Sequence, residues 1–182
     1  MREAFSKPLL SERVAVLLHP SMVPVIDVFR SLSSLDDHYD LALLDAPEQA
    51  LSQYTTPETA RAIVSDMLLL AFSLSRQRDR AFSHRPLGSR HSSLDEYCLL
   101  ALIGSSRNPV SDVALEAAAE LDVVSLDAMG SLAEDLVRQI DLGAIVFQQP
   151  ILSDFRAIMN RGMPEEVLIE PALTKAEFNF RI

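Results

Sequence analysis

The sequence predicts a mainly helical protein, on three observations. Only five glycines occur in 182 residues, where ordinary usage of about 7% gives roughly thirteen. A chain so poor in glycine has few places for positive φ and tight hairpins. Helix-start patterns recur at Thr55/Thr56-Pro57-Glu58, at Ser93-x-x-Glu96 and at Asn108-Pro109, each combining a side-chain cap with an acid or proline suited to a first turn. Behind these starts the apolar residues recur at three- and four-residue spacing, the helical period.

Composition bounds the rest. Apolar residues make up 48% and charged residues 23%, the balance of a globular chain and not a disordered one. The length suits one well-buried core, or a small domain with an added oligomerisation element. Cys98 is the single cysteine, so neither an intramolecular disulfide nor a thiolate metal cage is expected, and a reducing, cytoplasmic setting is. The first twenty residues lack the pattern of a secretory leader. The longest uncharged apolar run, "MLLLAFSLS", is about half a membrane span.

Residues 1–54 admit two readings. "RVAVLL" (13–18) and "YDLALLD" (39–45) bracket a segment with helical spacing at Met22, Ile26, Phe29 and Leu32. This is either strand–helix–strand, the opening of a small α/β unit, or three short helices. Residues 55–91 form a long helix and an arginine-rich loop. Ile63, Met67, Leu70 and Leu74 make one stripe, and Val64, Leu68 and Ala71 the next. Running to Phe82, the helix spans roughly 39 Å, more than a small core needs, which predicts a dimer interface or a central helix. Pro86 and Gly88 mark the loop.

Residues 92–162 hold three more helices and a short fourth one. The first starts at the Ser93 cap and turns Leu94, Tyr97, Leu100 and Ala101 inward. The second starts at Asn108 and Pro109. The third carries Met129, Leu132, Leu136, Val137 and Ile140 inward and stops at Gly143. A short helix is expected over 151–160, ended by Gly162. In the tail, 163–182, "EVLIE" and "FNFRI" alternate like strands that pack back on the domain or pair with a partner's sheet edge.

The order of elements over 94–147 resembles the winged helix-turn-helix of MarR-like transcription regulators. Ala118 and Leu121 match the family's A-x-x-L helix, Asp122 to Ser125 its turn, and Gly143 with Ile145 the approach to its wing. The resemblance implies a homodimer on duplex DNA, with the long helix dimerising and the helix from Ser125 entering the major groove. It departs from the pattern in two ways. The stretch from Ala118 to Gly143 is about one helical turn longer than the family's. Ser125, Leu126, Asp127, Gly130 and Ser131, which open the presumed recognition helix, include none of the side chains that most often read bases.

Charge frames the alternatives. The chain carries a net charge of −10, yet five of its arginines fall within 76–90. Arginine suits bidentate phosphate contacts, so the candidate DNA-binding residues are Arg76, Arg78, Arg80, Arg85, Arg90, Arg107, Ser125 and Ser131. The same arginines can instead end a helix and pair with the acidic surface of 112–135. Residues 94–147 hold ten carboxylates against Arg107 and Arg138, a surface that phosphate repels. Asp112, Glu116 and Glu120 form an acidic helical stripe, and "DDHYD" (36–40) a polar loop. No nucleophile elbow or glycine-rich phosphate loop is present, so no enzymatic activity, cofactor or metal is expected. The expected function is a non-enzymatic dimeric regulator of the MarR-like kind. The alternative is an acidic protein-interaction or adaptor protein without DNA binding, and a more distant one is a small-molecule sensor with its pocket under the long helix.

Overall fold

The computed structural model describes residues 16–32, 41–108 and 111–160. They are mainly helical: β1 (Val16–Leu17), α1 (Val23–Leu32), α2 (Asp45–Leu51), α3 (Pro57–Gln77), β2 (His91–Ser92), α4 (Leu94–Ser105), α5 (Asp112–Glu120), α6 (Leu126–Leu142) and α7 (Leu152–Asn160). Short 3-10 turns precede α1 and α2. No described helix is long and apolar enough to cross a membrane. The "DDHYD" loop, Pro109, Gly162 and the tail lie outside the described residues.

The N-terminal region combines the two sequence readings. The first apolar run does hold a strand, but β1 pairs antiparallel with β2, with Val16 opposite Ser92 and Leu17 opposite His91. The described part of the second run, 41–45, is not a strand. It forms a 3-10 turn and then α2, whose first turn carries Asp45 and Glu48, acids that suit the positive end of a helix dipole.

α3 starts as its sequence predicts, with Thr56 Oγ1 accepting the Thr59 amide at 3.3 Å and Pro57 in the first turn. It stops at Gln77, a turn earlier than the apolar pattern indicates. Arg78 is already extended (φ −103°, ψ 136°), and its side chain turns inward to a carboxylate. α3 is also not the central helix. Ala60, Ile63, Val64, Met67, Leu70, Ala71 and Leu74 are buried, while Leu69 and Phe72 are 55% and 59% exposed.

The centre belongs to α4. Every residue from Asp95 to Ser105 is buried, because "LDEYCLLALIGS" is apolar on all sides and only a helix enclosed by neighbours hides such a surface. Its capping box is complete, with Ser93 Oγ accepting from the Glu96 amide (3.1 Å) and Glu96 accepting from the Ser93 amide (2.8 Å). One hydrophobic cluster runs from β1 and α1 through α4 to α6 and α7.

α5 begins at Asp112 with Ser111, not Asn108, at the cap. The Ser111 amide donates to the Asn108 carbonyl (3.1 Å). α5 ends in a Schellman motif. Asp122 is left-handed (φ 57°), the Val123 amide bonds the Ala118 carbonyl (2.9 Å) and the Asp122 amide bonds that of Ala119 (3.1 Å). α6 ends the same way one residue beyond the expected stop. The left-handed residue there is Ala144 (φ 52°), with the Ile145 amide on the Ile140 carbonyl at 3.1 Å. Gly143 serves a different need: a Cβ at this position would meet Thr55 Oγ1 at 2.8 Å, so glycine lets the end of α6 approach the start of α3. The other end of α6 meets the end of α3, which makes the two helices antiparallel.

Candidate functional site

The arginine segment is where charge is concentrated, and its geometry follows from two adjacent acids. Asp95 and Glu96 open α4, whose N-terminus attracts negative charge. Both are buried, Glu96 completely. Buried carboxylates are tolerated only when paired and fully bonded, and the segment 78–92 wraps around them to supply the donors.

Glu96 accepts four. Arg30 Nε reaches Oε1 at 2.7 Å and Arg30 Nη2 reaches Oε2 at 3.1 Å. The backbone amides of Arg85 (3.0 Å) and Ser93 (2.8 Å) complete the set. Arg30, itself buried, also bonds Asp27 (3.0 Å) and the carbonyls of Ser89 (2.8 Å) and His91 (3.0 Å). Asp27 in turn accepts the Gly88 amide at 3.0 Å, in a type II turn over 86–89 that places Gly88 at φ 74°. Burial raises the Asp27 pKa above the ordinary carboxylate value, against the lowering effect of Arg30 and the Gly88 amide. For Arg30, burial opposes the charge, yet the bonds to Glu96 and Asp27 carry its pKa above the usual guanidinium value.

Asp95 accepts from Arg78 Nη2 at 2.9 Å, from Arg80 Nη1 at 3.1 and 3.2 Å, and from the Ser83 amide at 2.8 Å. Arg78 lies with its guanidinium 5.1 Å from the centre of the Phe82 ring, and Phe82 packs on Phe29 at 4.5 Å. Its Nε and Nη1 are buried with no hydrogen-bond partner, so the aromatic face is what compensates them. Arg80 is half exposed and makes a three-way tie. Besides Asp95 it bonds Asp122 (2.6 Å) and the Glu120 carbonyl (2.6 Å), joining the start of α4 to the turn after α5. Burial disfavours the Arg80 charge, but bonds from Asp122 and Asp95 raise its pKa.

The remaining candidates are scattered. Arg76, in the last turn of α3, is exposed and forms no ion pair with a described residue. Arg85 is half-buried, and Arg90 is exposed with its guanidinium on the Leu18 carbonyl (3.3 Å). Arg107 sits at the far end of α4, paired with Asp141 and lying 5.2 Å from the Phe147 ring centre. Ser125 occupies the cap position of α6 but makes no side-chain cap bond. Gln77 Oε1 instead accepts the amides just before the helix, those of Val124 (3.0 Å) and Ser125 (2.8 Å). Ser131 is exposed on α6. The structure therefore brings Arg78 and Arg80 together on Asp95 and leaves Arg76, Arg90, Arg107, Ser125 and Ser131 apart from that cluster.

Sequence reading missed Arg30, Asp27 and Gln77. The i, i+3 spacing of Asp27 and Arg30 is the one local signal, and it sits inside a segment otherwise read by its apolar period. Elsewhere, Glu116 pairs with Arg156 of α7, and Arg138 with Glu134 (3.3 Å) and Asp135 (3.4 Å). Cys98 lies buried with Sγ 3.7 Å from Met159 Sδ, its thiol pushed up to about 12 by burial. Among the described residues no three acidic, histidine or cysteine side chains are grouped to hold a metal. No protein-family model, curated protein or solved structure matches this chain.

Proposed function

We propose that the chain is a non-enzymatic, acidic protein-interaction module of a reducing compartment, dimeric through the outer face of α3 and without DNA-binding activity. One observation carries this reading: the guanidinium groups of Arg78 and Arg80 are spent on Asp95, Asp122 and a helix-end carbonyl of their own chain. Phosphate contacts need free cations that release counterions, whereas α6 exposes Asp127, Glu134, Asp135 and Asp141 with, among the described residues, only Arg107 and Arg138 paired to them. That face suits a basic protein partner.

The outer stripe of α3 supports the dimer. Glu58, Ser65, Leu69, Phe72 and Arg76 share one exposed line at helical spacing. Two such stripes running antiparallel about residue 67 bring Glu58 of each copy to Arg76 of the other and bury Leu69 and Phe72 between them. In sedimentation at micromolar concentration the chain runs as a dimer and Leu69→Glu with Phe72→Glu runs as a monomer. A monomeric parent overturns this part.

A second reading, the MarR-like DNA regulator, is favoured by the left-handed turn at Asp122 between α5 and α6 and by the exposed Arg76 and Arg90. Retention on duplex DNA decides between the two. The interaction module is not retained at about 50 mM salt. Retention that falls steeply towards about 200 mM and weakens in Arg76→Ala with Arg90→Ala establishes the regulator.

A further inference from the structure

A cleft of about 380 Å³ opens between residues 16–22, α4 and the extended segment 147–151 that leads into α7. Its volume falls in the range of small-molecule sites, and it takes no residue from α3. Val16, Leu18, Met22, Leu100, Phe147 and Ile151 give it apolar walls. Two features of the backbone hold those walls in place. Ser21 Oγ donates to the Val146 carbonyl (3.3 Å). Gly104 lets the strap lie directly on α4, since a Cβ there would meet Gln149 Cα and Phe147 Cζ at 3.3 Å.

The polar side chains lining the cleft are those of His19, Tyr97, Gln148, Gln149 and Asp154. Tyr97 is only 7% exposed, its ring stacked on Phe155 with centroids 5.7 Å apart and planes at 21°. Its hydroxyl bonds no described residue and is not among the enclosed polar atoms, so it is free to meet a ligand in the cleft. Asp154, in the first turn of α7, is the one carboxylate of the lining, which contains no arginine or lysine. Burial, and after it the Asp154 charge, keep the Tyr97 phenol protonated well above its usual range.

We propose that this cleft binds a small hydrophobic amine, with the ammonium group on Asp154 and the Tyr97 hydroxyl oxygen and the apolar body between Met22, Leu100 and Phe147. A protonated nitrogen satisfies the carboxylate and the phenol oxygen together. An anion meets no arginine or lysine in the lining, whose other polar side chains are His19, Gln148 and Gln149, and is repelled by Asp154.

Isothermal titration of the full chain with phenethylamine and with its carboxylate counterpart, 3-phenylpropionate, tests the assignment. The amine binds at least about tenfold more tightly than the acid. Asp154→Asn brings the two within about twofold of each other, and Tyr97→Phe, which keeps the ring stack, weakens the amine about threefold. Ile151→Trp, a change of an exposed side chain at the mouth, abolishes binding of the amine while the circular dichroism spectrum stays that of the parent. The proposal is overturned if the parent shows no saturable binding of phenethylamine up to about 10 mM. It is equally overturned if the carboxylate binds as tightly as the amine, or if Asp154→Asn and Ile151→Trp both leave the amine's affinity unchanged.

Discussion

Replacing Glu96 by glutamine tests the claim that the arginine segment is an internal fastening. The substitution keeps shape and volume, so packing is preserved and only charge and bonding change. In the parent, four N–H donors converge on the two Glu96 oxygens: Arg30 Nε and the Arg85 amide on Oε1, Arg30 Nη2 and the Ser93 amide on Oε2. Glutamine offers one acceptor oxygen and sets its NH₂ group against the other pair of donors. Two buried donors then lose their acceptor, at roughly 1–3 kcal/mol each, and Arg30 loses the counter-charge that it bonds through both Nε and Nη2. Breaking one side of a buried ion pair costs about 3–5 kcal/mol, roughly a fifth or more of the stability of an ordinary domain. For a chain of this length that lowers Tm by roughly 6–20 °C. Urea unfolding followed by circular dichroism measures the loss, and trypsin cuts after Arg90 at lower doses as the 83–92 segment loosens. Glu134→Gln, in an exposed pair with Arg138, is the control and stays within about 0.5 kcal/mol of the parent. If Glu96→Gln also stays within about 1 kcal/mol, the Glu96–Arg30 network does not hold the segment.

Three further outcomes follow from the packing of α6. Ala144→Gly stabilises by about 0.5–1 kcal/mol, because alanine is strained at φ 52° and glycine is not; a lower urea midpoint refutes this. Gly143→Ala destabilises by about 1–3 kcal/mol, since its Cβ would stand 2.8 Å from Thr55 Oγ1, and thermal melts read the loss. Asp66, on α3, has its pKa raised by burial and then by Asp135 of α6, so the folded state binds its proton more tightly than the unfolded chain. Its charge is therefore destabilising at neutral pH, and the penalty disappears as pH falls through the raised value. Asp66→Asn stabilises by roughly 0.5 kcal/mol at pH 7, with the gap to the parent closing on acidification; a gap independent of pH between 7 and 4 contradicts this.

Much of the helical content was legible because it depends on neighbours in sequence. Apolar spacing located α3, α4, α6 and α7, and the Ser93-x-x-Glu96 pattern located a capping box that forms in full. Boundaries were less legible where a distant group intervenes. The apolar period runs on past Gln77, but Arg78 leaves the helix for Asp95. Gly143 reads as a helix stop, whereas it answers to Thr55 and Ala144 takes the left-handed turn. The candidate site was legible as a concentration of arginine and illegible as a network, for its acceptors lie 15 to 66 positions away in the chain.

The sequence alone determined that the chain is mainly helical, where most of its helices lie, and that its positive charge is gathered in one segment of an acidic protein. These properties rest on propensity, capping and periodicity, which act within a few residues. Tertiary structure decided that α4 and not α3 is central, that β1 pairs with β2, and that Arg78 and Arg80 turn to carboxylates of their own chain. Burying Asp95 and Glu96 at the start of an all-round apolar helix removes them from water, and that cost is offset only by donors which the fold carries in from remote parts of the chain.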